Sequence, residues 1–200
     1  MENIKETNGL LVQGHIKIFD PSTKEVIVDK RNAIHYENMS ISLAESLGNS
    51  GQSWIHEMSF GNGGTSVDPT GIITYLTPNS TGTNASLYNE TFSKIVDDRS
   101  ANNTDPARNK IETRHTSGVN YTDILVTCLL DYGEPNGQDA FDTATEADSP
   151  YVFDELGLRA YDPNGTGRLL THVIFHPVQK SLNRLIQVDY TVRIQSLSGL

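Results

Sequence analysis

The chain of 200 residues contains two pairs of adjacent carboxylates, Asp97-Asp98 and Asp154-Glu155, and one close pair of histidines, His172 and His176. Adjacent carboxylates suit shared acid–base chemistry only if both reach one substrate, and neighbours along a regular strand point to opposite faces. Two histidines four apart hold a metal from one face of a helix. Val173-Ile174-Phe175 reads as strand, and Pro177 follows. On a strand the two rings share a face but stand about 13 Å apart, too far for one ion. His35 and His56 have no partner at motif spacing.

Other constellations are weaker still. The run Gly61-Asn62-Gly63-Gly64-Thr65-Ser66 lacks the lysine and the helix that a phosphate-cradling loop needs, so it reads as a tight turn requiring positive φ. No Gly-x-Ser-x-Gly elbow is present. Acidic residues crowd the stretch 139–148, including Asp139, Asp142, Glu146 and Asp148, without the oxygen spacing of a calcium-binding hand. The single cysteine, Cys128, lies in the apolar run Ile124-Leu125-Val126-Thr127-Cys128-Leu129-Leu130 and is expected to be a buried, inert thiol. The expectation is a protein that is not an enzyme, with no catalytic residue, no metal site and no cofactor.

Composition sets the class. Hydrophobic residues make up 36% and charged residues 20%, which suits one folded domain rather than a disordered chain. A net charge of −10 argues against a nucleic-acid surface, since phosphate binding relies on Lys and Arg displacing counterions. Lys180, Arg184 and Arg193 are expected on a solvated strand face. No stretch of 18 apolar residues offers a membrane span. Residues 1–9 lack a signal-peptide layout, so the Asn-x-Ser/Thr triplets at Asn38, Asn79, Asn84, Asn89, Asn102, Asn120 and Asn164 read as turn chemistry rather than glycosylation sites.

Short β patterns run through the chain. Strands are expected over 10–19 and 25–29, joined by an Asp20-Pro21 turn, then over 54–60, 71–76, 90–96, 110–116, 121–132, 151–161, 168–175 and 185–197. The run 121–132 is apolar enough for a strand buried on both faces. Residues 54–60 place Trp54, His56, Met58 and Phe60 on one face, with Trp54 expected in the core. One short helix is expected over 37–47, with Met39, Leu43 and Leu47 in register, Asn38 as N-cap and Gly48 as stop. The fold class is therefore all-β: a β-sandwich or jelly roll with one short helix, formed by residues 10–200 behind an N-terminal arm of residues 1–9. The loops 77–89, 97–109 and 133–150 are longer than a compact domain needs, and such loops commonly meet neighbours.

Several phrases resemble small virion proteins of tailed bacteriophages. They are Gly14-His15-Ile16-Lys17-Ile18-Phe19-Asp20 followed by Asp29-Lys30-Arg31-Asn32-Ala33-Ile34-His35, then Phe60-Gly61-Asn62-Gly63-Gly64, Tyr75-Leu76-Thr77-Pro78-Asn79, Leu87-Tyr88-Asn89-Glu90-Thr91 and Asp154-Glu155-Leu156-Gly157-Leu158. Lys24 stands where that pattern has glycine, so the first turn is expected to differ. The resemblance implies a virion subunit made in the bacterial host cytoplasm, preferably a neck or collar protein at the head-to-tail junction. Such a subunit would form a homo-oligomeric ring and contact connector, tail or fibre subunits, with no direct nucleic-acid or membrane contact. Capsid decoration, a baseplate position and a glycan-binding module of the virion are the alternatives. The interface is expected on the arm 1–9 and the loops 77–89 and 133–150, with Asn79, Asn84, Tyr88, Asp139, Asp142 and Glu146 as its residues.

Overall fold

The computed structural model describes residues 9–136 and 151–197. Eleven strands and one helix follow in the order β1 (Gly9–Phe19), β2 (Val26–Ile34), α1 (Tyr36–Leu47), β3 (Ile55–Gly61), β4 (Thr65–Val67), β5 (Ile73–Tyr75), β6 (Glu90–Ile95), β7 (Lys110–Arg114), β8 (Tyr121–Leu130), β9 (Tyr151–Ala160), β10 (Thr171–Lys180) and β11 (Ile186–Leu197). Nine strands form one antiparallel sheet in the order β6-β3-β9-β10-β2-β1-β11-β8-β7, and β4 and β5 pair separately. The protein is all-β with one short helix.

The sheet is curled. Its midpoint is weakly sewn, since β2 and β10 share only the pairs Ile34↔Thr171 and Ala33↔His172, with Lys30 Nζ donating to Ile174 O beside them at 2.8 Å. The edges return toward each other: Lys94 on β6 donates to Leu129 O on β8 at 2.7 Å. One core fills the space between. Ile16, Ile18, Val188 and Tyr190 from one half join Met58, Phe60, Phe153 and Leu156 from the other. The strict alternation of β11 explains its place at the centre of its half, with Ile186, Val188, Tyr190 and Val192 all buried.

Local chemistry accounts for the ends. Asp20 Oδ1 accepts from the backbone N–H of Ser22 at 2.8 Å and of Thr23 at 3.2 Å, building the first turn. Lys24 in that turn has φ +66°, a left-handed conformation that glycine adopts without penalty and that lysine tolerates here at a cost. The helix starts one residue before the expected point. Its N-cap is His35 rather than Asn38, with His35 Nδ1 accepting from the Asn38 N–H at 3.2 Å. Asn38 is instead buried in the first turn, donating to Leu169 O at 3.0 Å. Gly48 ends the helix as expected.

Two expectations about strands change. The strand buried along most of both faces is β9 rather than β8: nine of the ten residues of β9 are buried, against four of ten in β8. The reason is position: β9 lies between β3 and β10, and loops cover its outer side. Trp54 is also not a core residue. It precedes β3 and is only part-buried, while Met58 and Phe60 carry the core face.

Two substitutions test this packing by chemical denaturation. Gly157→Ala places a Cβ 2.4 Å from Thr171 O and is expected to cost about 2–3 kcal/mol. Lys24→Gly removes the left-handed penalty and is expected to gain about 0.5 kcal/mol after the extra entropy of glycine is counted.

Candidate functional site

Asp154 and Glu155 do not diverge as a regular strand would make them. On β9 the core-facing residues are Tyr151 and Phe153, then Leu156, Leu158 and Ala160. The phase slips between Phe153 and Leu156, opposite a register shift in β10 between Ile174 and Val178. Both carboxylates consequently reach the same glycine segment. Asp154 accepts from the N–H groups of Gly64 at 2.9 Å and Thr65 at 2.8 Å, and from the Thr65 hydroxyl. Glu155 accepts from Gly63 N–H at 3.1 Å, Tyr88 N–H at 2.9 Å and Asn89 N–H at 2.8 Å. Gly61 and Gly64 permit this approach: a Cβ at Gly61 would lie 2.6 Å from Glu155 Oε1, and one at Gly64 would lie 3.1 Å from Asp154 Oδ1.

His172 closes the cluster. Both it and Glu155 are fully buried. The backbone N–H of Asn79 donates to His172 Nδ1 at 2.8 Å, so that nitrogen carries no proton. The proton sits on Nε2, which lies 2.9 Å from Glu155 Oε2 and donates to it. Neither nitrogen is free for a metal or for proton transfer. The phrases around Gly61–Gly64, Asn79, Tyr88–Asn89 and Asp154–Glu155, far apart in sequence, thus meet at one set of buried charges.

The electrostatics fit a brace. Burial raises the Glu155 carboxyl, but the donors His172, Asn89, Tyr88 and Gly63 outweigh it and hold the group below its ordinary range. At Asp154 burial prevails over its three hydrogen bonds, and the carboxyl is raised. His176, beyond the bulge, is exposed and faces the Tyr75 hydroxyl at 3.2 Å, so the two histidines serve different contacts.

The remaining candidates are separated. Asp97 accepts from Trp54 Nε1 at 2.8 Å, and Asp98 meets the Ile111 N–H at 3.4 Å. Cys128 is fully buried, which pushes its thiol up to about 12. The basic trio is not a solvated face. Lys180 is fully buried, with Nζ donating to Asp131 O at 3.0 Å and Ser181 O at 2.8 Å, and burial pulls its ammonium down to about 8. Arg184 pairs with Asp20 and Glu25, and Arg193 makes a fork on Asp123 at 2.7 and 2.8 Å. Sequence patterning missed the buried roles of Lys180, Glu155 and His172, because charged and polar residues on a strand ordinarily mark its wet face.

Among the expected interface residues, Asn84 and Tyr88 are exposed and Asn79 is part-buried. Asn79 Nδ2 donates to Ser86 O at 2.8 Å and the Tyr88 hydroxyl to Thr77 O at 2.7 Å, so the loop 77–89 is tied to itself as well as to β9 and β10. Asp139, Asp142, Glu146, residues 137–150 and residues 1–8 of the expected arm 1–9 lie outside the described residues, and Gly9, the last residue of that arm, opens β1. Among the described residues no group of three or more His, Cys, Asp or Glu is placed to hold a metal ion, and no helix is long and apolar enough to cross a membrane. Comparison with protein-family models, curated proteins and solved structures finds no match to this chain.

Glu155→Gln is expected to cost about 3 kcal/mol near neutral pH, since an amide cannot replace a carboxylate at four donors. The folded carboxyl sits below its ordinary value of 4.5, so the wild-type advantage is full above that value and is lost as pH falls through the folded value. Urea denaturation of both proteins across that range checks the magnitude and the direction.

Proposed function

We propose that this chain is a structural subunit of a tailed-bacteriophage particle, made in the host cytoplasm, with the neck or collar at the head-to-tail junction as its preferred place. One observation carries the reading. The buried charges hold up a hairpin and a loop whose own apolar side chains face solvent. Val67, Ile72, Tyr75 and Leu76 on and beside the β4–β5 hairpin are 62%, 63%, 50% and 42% exposed, and Tyr88 on the adjoining loop is 44% exposed. A two-stranded hairpin of three-residue strands has little stability by itself. Here Asp154 clamps its first residues, and Leu76 N–H returns to Gly64 O at 2.9 Å. A braced projection with an apolar face suits contact with another protein.

The phage assignment rests on the sequence phrases that converge on this brace, and the ring follows from what such a subunit does. A heterologous contact, with the hairpin of one copy on a different surface of the next, closes into a ring when the rotation permits. The net charge of −10 suits a subunit that holds apart from DNA and from its copies until specific contacts form. Connector, tail and fibre subunits are the expected neighbours.

The test is the solution mass of the purified chain, alone and with isolated neck components, for the wild type and for Val67→Asp/Ile72→Asp. Both positions are exposed, so the fold is expected to persist by circular dichroism. The wild type is expected to form rings or to join neck complexes, and the double variant to do so at least about tenfold more weakly. Equal assembly by both proteins, or a wild type that remains a monomer with every neck component, overturns the reading.

A further inference from the structure

A second feature uses none of the hairpin or the brace. Trp54, the sole tryptophan, stacks on Tyr161 with ring centroids 4.6 Å apart and planes 12° apart. Its indole orientation is fixed by the hydrogen bond to Asp97 Oδ2 at 2.8 Å. Asp97 is held in turn by Arg99, whose backbone N–H and Nε donate to Oδ1 at 3.1 and 3.3 Å. These donors outweigh the effect of burial and keep the Asp97 carboxyl below its ordinary range.

The aromatic pair lines an open cleft of about 580 Å³, between the end of α1 with its following turn and the loop after β6. Glu45, Gln52, Arg99 and Ser100 stand around it. Several polar groups in this cleft have unused capacity. The Tyr161 hydroxyl and both Nη groups of Arg99 make no hydrogen bond among the described residues, and the Arg99 side chain is 73% exposed. His56 Nδ1 lies behind them, buried and 3.6 Å from Asp97 Oδ2, and does not face the cleft.

A pyranose ring matches this combination. It has a flat C–H face that packs on an aromatic plane, and a rim of hydroxyls that both donate and accept. The Arg99 guanidinium fork and the Tyr161 hydroxyl offer the complementary partners, while the Glu45 carboxylate at the rim is already paired with Arg168 and Ser53. A purely apolar ligand would leave the polar groups of the cleft without partners. We propose that the cleft beside Trp54 and Tyr161 is a saccharide subsite that takes one pyranose ring of a longer glycan. The volume admits one or two sugar residues.

Because Trp54 is the only tryptophan, its fluorescence reports this cleft directly. The purified full chain is titrated with glucose, galactose, N-acetylglucosamine, glucuronate and short oligomers of each, to about 100 mM, with calorimetry alongside. The expected result is a saturable change in Trp54 emission for at least one of these sugars. A response to glucuronate alone would assign the Arg99 fork to a carboxylate, and a response to a neutral sugar would assign it to hydroxyls; either supports the subsite. Tyr161→Phe keeps the stack and removes only the hydroxyl, and Arg99→Ala removes the fork; each is expected to weaken binding about fivefold. No saturable change with any sugar, or an affinity unchanged in both variants, overturns the proposal. Assembly behaviour is read separately, so neither result decides the other.

Discussion

Glu155 is an ionisable side chain with no solvent exposure, in the middle of a curled sheet. A carboxylate there requires donors for its oxygens, since leaving it unpaired is far more costly than any single contact is favourable. Its donors come from three separate stretches: the segment after β3, the segment before β6, and His172 on β10. His172 in turn fixes Asn79 through its other nitrogen. One charge therefore sets the path of nearly thirty residues between β3 and β6, and Asp154 beside it sets the start of the hairpin. Both depend on the slip in strand phase that lets neighbouring carboxylates face one segment.

This arrangement also limits the chemistry of the cluster. A general base needs an open acceptor and a route for its proton, and a metal ligand needs a free lone pair. Glu155 and His172 have their polar atoms occupied by the protein itself. The residues that look most like an active site in the sequence act here as scaffolding for loops, and the loops carry the exposed apolar surface. The cleft at Trp54 differs in kind, because the Tyr161 hydroxyl makes no hydrogen bond among the described residues and the exposed Arg99 fork retains donors.

Much of the fold is legible from residue patterns. The alternation in β11, the Asp20-Pro21 turn between β1 and β2, and the spacing of Met39 and Leu43 with Gly48 behind them all identify elements that form where expected. What patterns miss has a common cause. β9 carries Asp154, Glu155 and Arg159, all buried, and a strand with three charges reads as half-wet until the partners are known. Arg159 meets Glu90 and Gly167 O, neither near it in a way that periodicity registers. A phase slip in one strand is likewise invisible without the register of its neighbour. The loop 77–89 reads as free because its restraints, Glu155 and His172, are 66 or more residues distant.

The central claim is that the buried carboxylate holds the hairpin and loop in place before any partner arrives. Hydrogen exchange on the isolated chain, resolved at the amides of Gly63, Asn79, Tyr88 and Asn89, tests it most directly. The account predicts protection at these four amides comparable to that in β9 and β10, despite their position in loops. Exchange at the rate of an open loop would contradict it, and would mean that Glu155 and His172 are free for other chemistry.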